Sequence, residues 1–281
     1  STNLISDEVY YNVVWRALSK ENNKVDVKLI DSEPNNFRYL IVSDGEQELP
    51  PLSRLFSKQL NAQGNNPRIV SASEIESISL ENTIVLWLRD SEASQDYAQA
   101  RGVAQELLKV MQAVIGEPSS NLWCVTEQAV SVIDSTSLAF ADSIAWAMGR
   151  TMALEHPIQW GGIIDLELST SELMAIKQVD AAIEKIQIPG NEDQLAIRQQ
   201  QWHIPQLQHY TPGSRKAAFD PSGTWLITGG CGDLGLLTCQ WLFKKGVREF
   251  VLVGRSGPSA MVQKAIQQLN DKGANIKVVA E

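Results

Sequence analysis

The sequence predicts an α/β protein in two parts: a long part of alternating strands and helices, then a short part that opens a doubly wound nucleotide-binding fold. Three observations carry this. Apolar runs of strand length alternate with amphipathic stretches of helix length along most of the chain. A knot of glycines, Gly229, Gly230, Gly232 and Gly235, stands between one such run and one such stretch. The charge balance also changes sign near residue 215. From Lys216 onward eight Lys and Arg face five Asp and Glu, a balance of +3 that leaves −12 in residues 1–215 of a chain whose net charge is −9.

Composition bounds the partners. The chain has 281 residues, 43% apolar and 20% charged, enough to bury one large core or two modest ones. No apolar run approaches the roughly 20 residues of a membrane span, and STNLISDEVY has no basic-then-apolar leader, so no membrane partner is expected. The acidic body argues against nucleic acid. Cys124, Cys231 and Cys239 lack metal-ligand spacing and read as reduced thiols of a cytoplasmic protein.

In residues 1–215 the expected strands are Tyr11–Leu18, Arg38–Val42, Pro67–Ser71, Thr83–Leu88, Leu122–Thr126 and Gly161–Leu166. The expected helices are Leu52–Ala62, Tyr97–Ile115, Leu138–Ala153 and Ser171–Lys185. The run TIVLWL at Thr83–Leu88 is apolar on both sides, as in a strand covered on both faces. No phosphate-binding glycine loop occurs, so this part reads as a Rossmann-like outline stripped of its ligand turn. His156, His203 and His209 have no cysteine or acidic partner at metal or triad spacing and read as structural. Trp15, Trp87, Trp123, Trp146 and Trp160 fall in apolar elements and read as core. The acidic stretch Asp90–Asp96 reads as a solvated loop, and TPGSRKAAFDPSG, beginning at Thr211, as a linker.

From Thr224 the pattern sharpens. Thr224–Thr228 (TWLIT) is a short apolar run ending at the glycines, and Leu234, Leu237, Trp241 and Leu242 follow at helical spacing. Lys244 and Lys245 occupy the last turn, where the helix dipole favours cations, and Gly246 suits the residue just past the end. Phe250–Val253 is a second strand, Ala260–Asp271 a second helix stopped by Gly273, and Asn275–Ala280 a third strand. This is β-α-β-α-β, the first half of a Rossmann fold. Glycines let backbone approach a pyrophosphate, and a helix N-terminus offers it free N–H groups. A tight strand–helix turn without ligand is the alternative. After the second strand an NAD site places an acidic residue, whereas this chain has Gly254-Arg255-Ser256. A guanidinium and a hydroxyl suit a 2′-phosphate and favour NADPH, unless Arg255 is an ordinary solvated arginine.

These residues are similar to a known family. TWLITGGCGDLGLLTCQWLFKKGVREFVLVGRSG resembles the opening of ketoreductase domains in type I modular polyketide synthases, of the short-chain dehydrogenase/reductase family. NLWCVTEQAV with AWAMGRTMALEHPIQWGGIIDLE resembles the catalytically silent structural subdomain that precedes them. EDQLAIRQQQWHIPQL resembles that subdomain's last strands and YYNVVWRAL its first. The resemblance implies a structural subdomain at 1–215 and the N-terminal part of a cofactor-binding subdomain at 216–281. It places the NADPH loop on Thr228, Gly229, Gly230, Cys231, Gly232, Asp233, Leu234 and Gly235, with the 2′-phosphate contact on Arg255 and Ser256 beside it. Cys231 and Asp233 depart from the small or apolar residues common there, so Asp233 should point to solvent. Gly254 stands where serine is common.

The resemblance further implies that the family's Lys, Ser, Tyr and Asn set does the chemistry, and that all four would lie beyond Glu281, as in a fragment or a split domain. With that segment the region would reduce a β-ketoacyl thioester, held by phosphopantetheine on an acyl carrier protein, to the β-hydroxyacyl form. It would do so inside a multifunctional enzyme of the transferase class, in contact with neighbouring synthase domains. Two other readings stand. One is a non-catalytic pseudo-ketoreductase scaffold docking a methyltransferase, dehydratase or enoylreductase. The other is a free dehydrogenase unrelated to synthases.

Overall fold

In the computed structural model, which describes residues 10–18, 37–43, 49–89, 97–133, 138–167, 171–210 and 220–280, the chain divides between Tyr210 and Thr211 into two units. The first contains β1 (Tyr10–Ala17), β2 (Arg38–Val42), α1 (Pro51–Ala62), β3 (Arg68–Val70), β4 (Thr83–Leu88), α2 (Tyr97–Ile115), β5 (Asn121–Glu127), α3 (Ser143–Glu155), β6 (Trp160–Leu166), α4 (Glu172–Gln187), β7 (Gln194–Arg198) and β8 (Gln201–Tyr210). The second contains β9 (Thr224–Thr228), α5 (Asp233–Lys244), β10 (Glu249–Gly254), α6 (Ala260–Asp271) and β11 (Asn275–Ala280). Asp90–Asp96 and most of the expected linker, residues 211–219, lie outside the described residues. No helix among the described residues is long and apolar enough to cross a membrane.

The first unit is one eight-stranded sheet, in the order β1-β8-β7-β6-β5-β4-β2-β3. Strands β2 to β7 run parallel, β8 returns antiparallel on β7, and β1 closes the edge antiparallel on β8. The winding reverses between β2 and β4, which makes the sheet doubly wound. Period-two alternation sorts each strand between two cores. Val85 and Trp87 of β4 and Leu122 and Cys124 of β5 face α2 and α3. Ile84, Leu86 and Leu88 with Trp123 and Val125 face α1 and α4. All six residues of TIVLWL are buried, as their run of apolar side chains predicts. Trp87, Trp123, Trp146 and Trp160 are core residues, and Trp15 is partly buried edge-on to Trp146, with ring centroids 5.6 Å apart.

Where the structure departs from the sequence reading, tertiary bonds and turn geometry account for it. The helix expected from Leu138 begins at Ser143, after a single 3₁₀ turn at Phe140–Asp142. Ala139 donates its N–H to the Gln128 carbonyl and the Asp142 carboxylate holds Arg89 at 2.9 Å, which commits this stretch to tertiary bonds. The hairpin joining β7 to β8 turns on Gln199 and Gln200, both with positive φ (51° and 63°).

The second unit is a three-stranded parallel sheet in the order β11-β10-β9. This is the 3-2-1 order of a nucleotide-binding half-fold. Both helices cover the same face, packing Cys239, Leu242, Val262, Ile266 and Leu269 onto Phe250 and Leu252. Only Leu242 of the expected α5 stripe is buried. Leu234, Leu237 and Trp241 are exposed, while Gly235, Cys239 and Leu242 turn inward. Gly235 sets this rotation, because the side of the helix that touches the preceding turn must carry no side chain.

Candidate functional site

The site is built at the carboxyl end of β9 and β10. Thr228 ends β9, and the chain turns at Gly229 with φ +65°, a left-handed conformation that favours glycine. Gly232 donates its N–H to the Gly229 carbonyl at 3.0 Å, closing the turn. Gly230 donates to the Val253 carbonyl at 3.1 Å, which ties the loop to the end of β10. Arg255 and Ser256 follow that strand directly, so the two sequence-predicted groups share one end of one sheet.

The glycines separate into two kinds. A Cβ on Gly230 would lie 2.7 Å from Leu252 Cβ and 2.8 Å from the Ile227 carbonyl oxygen. One on Gly235 would lie 2.4 Å from the Gly229 carbonyl oxygen and 2.6 Å from Gly230 Cα. Those two positions, with Gly229, are glycine because the fold demands it. Gly232 differs. A Cβ there meets only the Gly229 carbonyl oxygen, at 3.4 Å, and the residue is exposed with extended backbone (φ −90°, ψ 171°). Packing does not explain a bare residue at that position, whereas close approach of a ligand to the backbone does.

Gly232 is also the N-cap of α5, and no side chain caps the helix. The first-turn N–H groups of Asp233, Leu234 and Gly235 therefore point outward with the positive end of the helix dipole behind them. Asp233 and Leu234 are exposed, so the Asp233 carboxylate has room to turn to solvent as its chemistry requires. Arg255 and Ser256 are exposed, and Arg255 makes no ion pair among the described residues. The donor set fits a phosphate-bearing dinucleotide: a row of unused amides, one unpaired guanidinium and one hydroxyl.

One contact was not legible in the sequence. Cys231 lies against Gly254, where an added Cβ would sit 3.5 Å from Cys231 Cβ and 3.6 Å from its Sγ. Two of the three departures from the family pattern thus face each other across the turn. Only knowing that the loop folds back on the end of β10 could have paired them. The histidines are spread elsewhere: His156 caps α3, His203 is buried in β8 with Nδ1 3.0 Å from the Gln201 carbonyl oxygen, and His209 meets Tyr11 edge-on.

Comparison with known proteins gives the same picture in two pieces. Residues 34–207 match the family described as polyketide synthase extender module SpnB, Rossmann fold domain, and residues 223–281 match the KR domain family. Polyketide synthase GfsA of Streptomyces halstedii is 34% identical over 184 residues, 64% of this chain and 2% of that protein. The pikromycin polyketide synthase component PikAIII of Streptomyces venezuelae is 35% identical over 163 residues, 57% of this chain and 10% of that protein. Among solved structures, the first ketoreductase of the tylosin PKS aligns over 96% of this chain and 56% of its own, with TM-score 0.72 and 24% identity. An A-type ketoreductase from a modular polyketide synthase aligns with TM-score 0.70 and 23% identity, over 96% of this chain and 58% of its own. The chain thus spans a small part of these curated synthases and somewhat over half of these solved ketoreductases.

Proposed function

Since the chain belongs to the ketoreductase region of modular polyketide synthases, with residues 34–207 in the Rossmann-fold family of extender modules, we propose that Thr228–Gly235, Arg255 and Ser256 hold NADPH for the reduction of a β-ketoacyl thioester. In this reading residues 1–215 are the structural subdomain and residues 216–281 open the cofactor-binding one. The thioester arrives on the phosphopantetheine arm of an acyl carrier protein, among neighbouring synthase domains, in the cytoplasm.

The observation that carries the reading is Gly232, bare without a packing reason, at the open end of α5. The amides of the first turn bind the pyrophosphate and replace its water without reorganising. The Arg255 guanidinium pairs with the 2′-phosphate, and the Ser256 hydroxyl donates to the same group. Bound NADPH supplies the hydride for carbonyl reduction. This chain's own residues fix where the cofactor lies, and Asp233 keeps its charge clear of the phosphates.

The test is a titration of the protein with NADPH and with NADH, followed by cofactor fluorescence. A hydrogen-bonded charge contact contributes about 1.5–3 kcal/mol, roughly 10- to 150-fold in affinity. Arg255 starts exposed, so the lower end applies. NADPH should bind about tenfold more tightly than NADH, and Arg255→Ala should erase the difference. Equal affinities in the unaltered protein would refute the 2′-phosphate assignment, and no binding of either cofactor would leave the scaffold reading in its place.

A further inference from the structure

A cavity of about 950 Å³ in the first unit lies at the amino-terminal ends of its parallel strands. Ligands of doubly wound sheets bind at the carboxyl ends, so the fold does not explain this space as a nucleotide crevice. Its wall is specially built. The pairing of β5 with β6 slips between Leu122 and Trp123, so that Trp123 faces Gly162 and Gly161 is skipped. A Cβ on Gly161 would fall 2.2 Å from both Asn121 Oδ1 and Trp123 Nε1. Gly162, at φ +153°, would place one 2.7 Å from the Trp123 ring. Two glycines and a bulge thus clear room around one indole and leave its nitrogen edge at the cavity wall.

That indole N–H is unmatched. Four tryptophans are buried, and three of them donate: Trp87 to Glu106 at 2.6 Å, Trp146 to Thr126 at 3.1 Å and Trp160 to Asp193 at 2.9 Å. The Trp123 side chain is 1% exposed and its N–H reaches no acceptor among the described residues, yet the nitrogen is not one of the fully buried unpaired atoms, so it opens onto the cavity. Buried indole N–H groups normally find an acceptor. Among the described lining residues the other side chains are apolar or neutral except for Asp193, already engaged by Trp160, while the Lys185 ammonium lies beside Gly190 and feels the Glu192 carboxylate. Burial raises the Tyr39 phenol above its ordinary value. At the mouth Ile158 is 75% exposed and Phe37 37%.

We propose that this cavity binds a small uncharged molecule with an apolar body and a carbonyl oxygen, which accepts the Trp123 N–H. An anion meets the Asp193 carboxylate, and the nearby Lys185 ammonium is already offset by Glu192. A wholly apolar molecule leaves the indole unpaired.

The experiment follows the eight indole N–H signals of the ¹⁵N-labelled protein, with Trp123→Phe identifying one of them. N-cyclohexylacetamide is the probe, and cyclohexanecarboxylate and methylcyclohexane are the comparisons. The Trp123 signal should move and saturate with the amide, at least tenfold more readily than with either comparison. Trp123→Phe should weaken amide binding, read on neighbouring signals, about fivefold. Ile158→Asp, at an exposed position that the fold does not need, should weaken it as much, so the test survives if the tryptophan variant misfolds. An unmoved Trp123 signal at the amide's solubility limit, or equal binding of the carboxylate, would overturn the proposal. So would the same shift in an intact synthase module before any probe is added, since a protein segment would then be the occupant.

Discussion

The two kinds of glycine in the loop after β9 lead to opposite outcomes for one chemical change. In Gly235→Ala the new methyl lies 2.4 Å from the Gly229 carbonyl oxygen and 2.6 Å from Gly230 Cα. Backbone on both sides cannot yield as a side chain end would, so α5 must lift from the turn. Overpacking of this kind costs about 1–3 kcal/mol or more. At about 4–8 °C per kcal/mol for a unit of this size, its melting point should fall by roughly 10 °C or more. In Gly232→Ala the nearest contact is 3.4 Å and the backbone angles suit any residue. Only a modest change in capping is lost, about 1 kcal/mol or less. The methyl then stands where the pyrophosphate must approach, so NADPH binding should weaken at least tenfold with little change in melting. Thermal unfolding by circular dichroism and cofactor titration, run on both variants, separate the effects. Normal NADPH affinity in Gly232→Ala would refute the assignment of that residue to ligand approach, and wild-type melting of Gly235→Ala would refute the packing argument.

Three further outcomes are expected. Asp165 is fully buried, held by Arg198, the Thr126 hydroxyl at 2.5 Å and the Ala129 N–H at 2.9 Å. Asp165→Ala should destabilise the first unit by about 3–5 kcal/mol in urea unfolding, because it strands a buried guanidinium, and Asp165→Leu with Arg198→Met should recover most of the loss. Burial pushes the Cys239 thiol up to about 11 and the Cys124 thiol higher still. Iodoacetamide at pH 8 should therefore label only the partly exposed Cys231, as peptide mapping will show, and NADPH should slow that labelling. Replacing Gln199-Gln200 by Asn-Gly should stabilise the hairpin by about 0.5–1 kcal/mol, read as a rise in denaturation midpoint.

The sheet of the first unit was legible because burial on both faces leaves unbroken apolar runs such as TIVLWL, and the glycine loop because its spacing has one common use. What escaped the sequence depended on distant partners. The rotation of α5 follows from Gly235 meeting Gly229 and Gly230, whereas the apolar count alone favours the stripe through Leu234 and Trp241. The late start of α3 follows from Asp142 answering Arg89, 53 positions earlier. The turn at Gln199-Gln200 carries none of the residues that usually accept positive φ, so only the family resemblance marked the strands beside it. The cavity beneath Trp123 needed the register slip opposite Gly161, which no local pattern announces.

The chain contains the same supersecondary opening twice, a strand entering a helix at the first turn of a doubly wound sheet, and the chemistry of the two openings decides which can hold a cofactor. At α5 the cap is Gly232, the following amides are free, and the bare backbone faces outward. At α1 the cap is Pro50 and the first helical residue is Pro51, so two of the donors that a phosphate would use do not exist. Ser53, next in that turn, is buried and gives its hydroxyl to Ser43 at 2.8 Å, pinning the helix to the end of β2. Farther along the same carboxyl edge, Arg198 spans the Asp165 and Val130 carbonyl oxygens and the Asp165 carboxylate, filling the space between β6 and β7 with the protein's own ion pair. Polar groups that a ligand would need are thus spent on the fold in the first unit and left unspent in the second. That difference, more than the count of glycines, supports the proposed placement of the cofactor on the second unit.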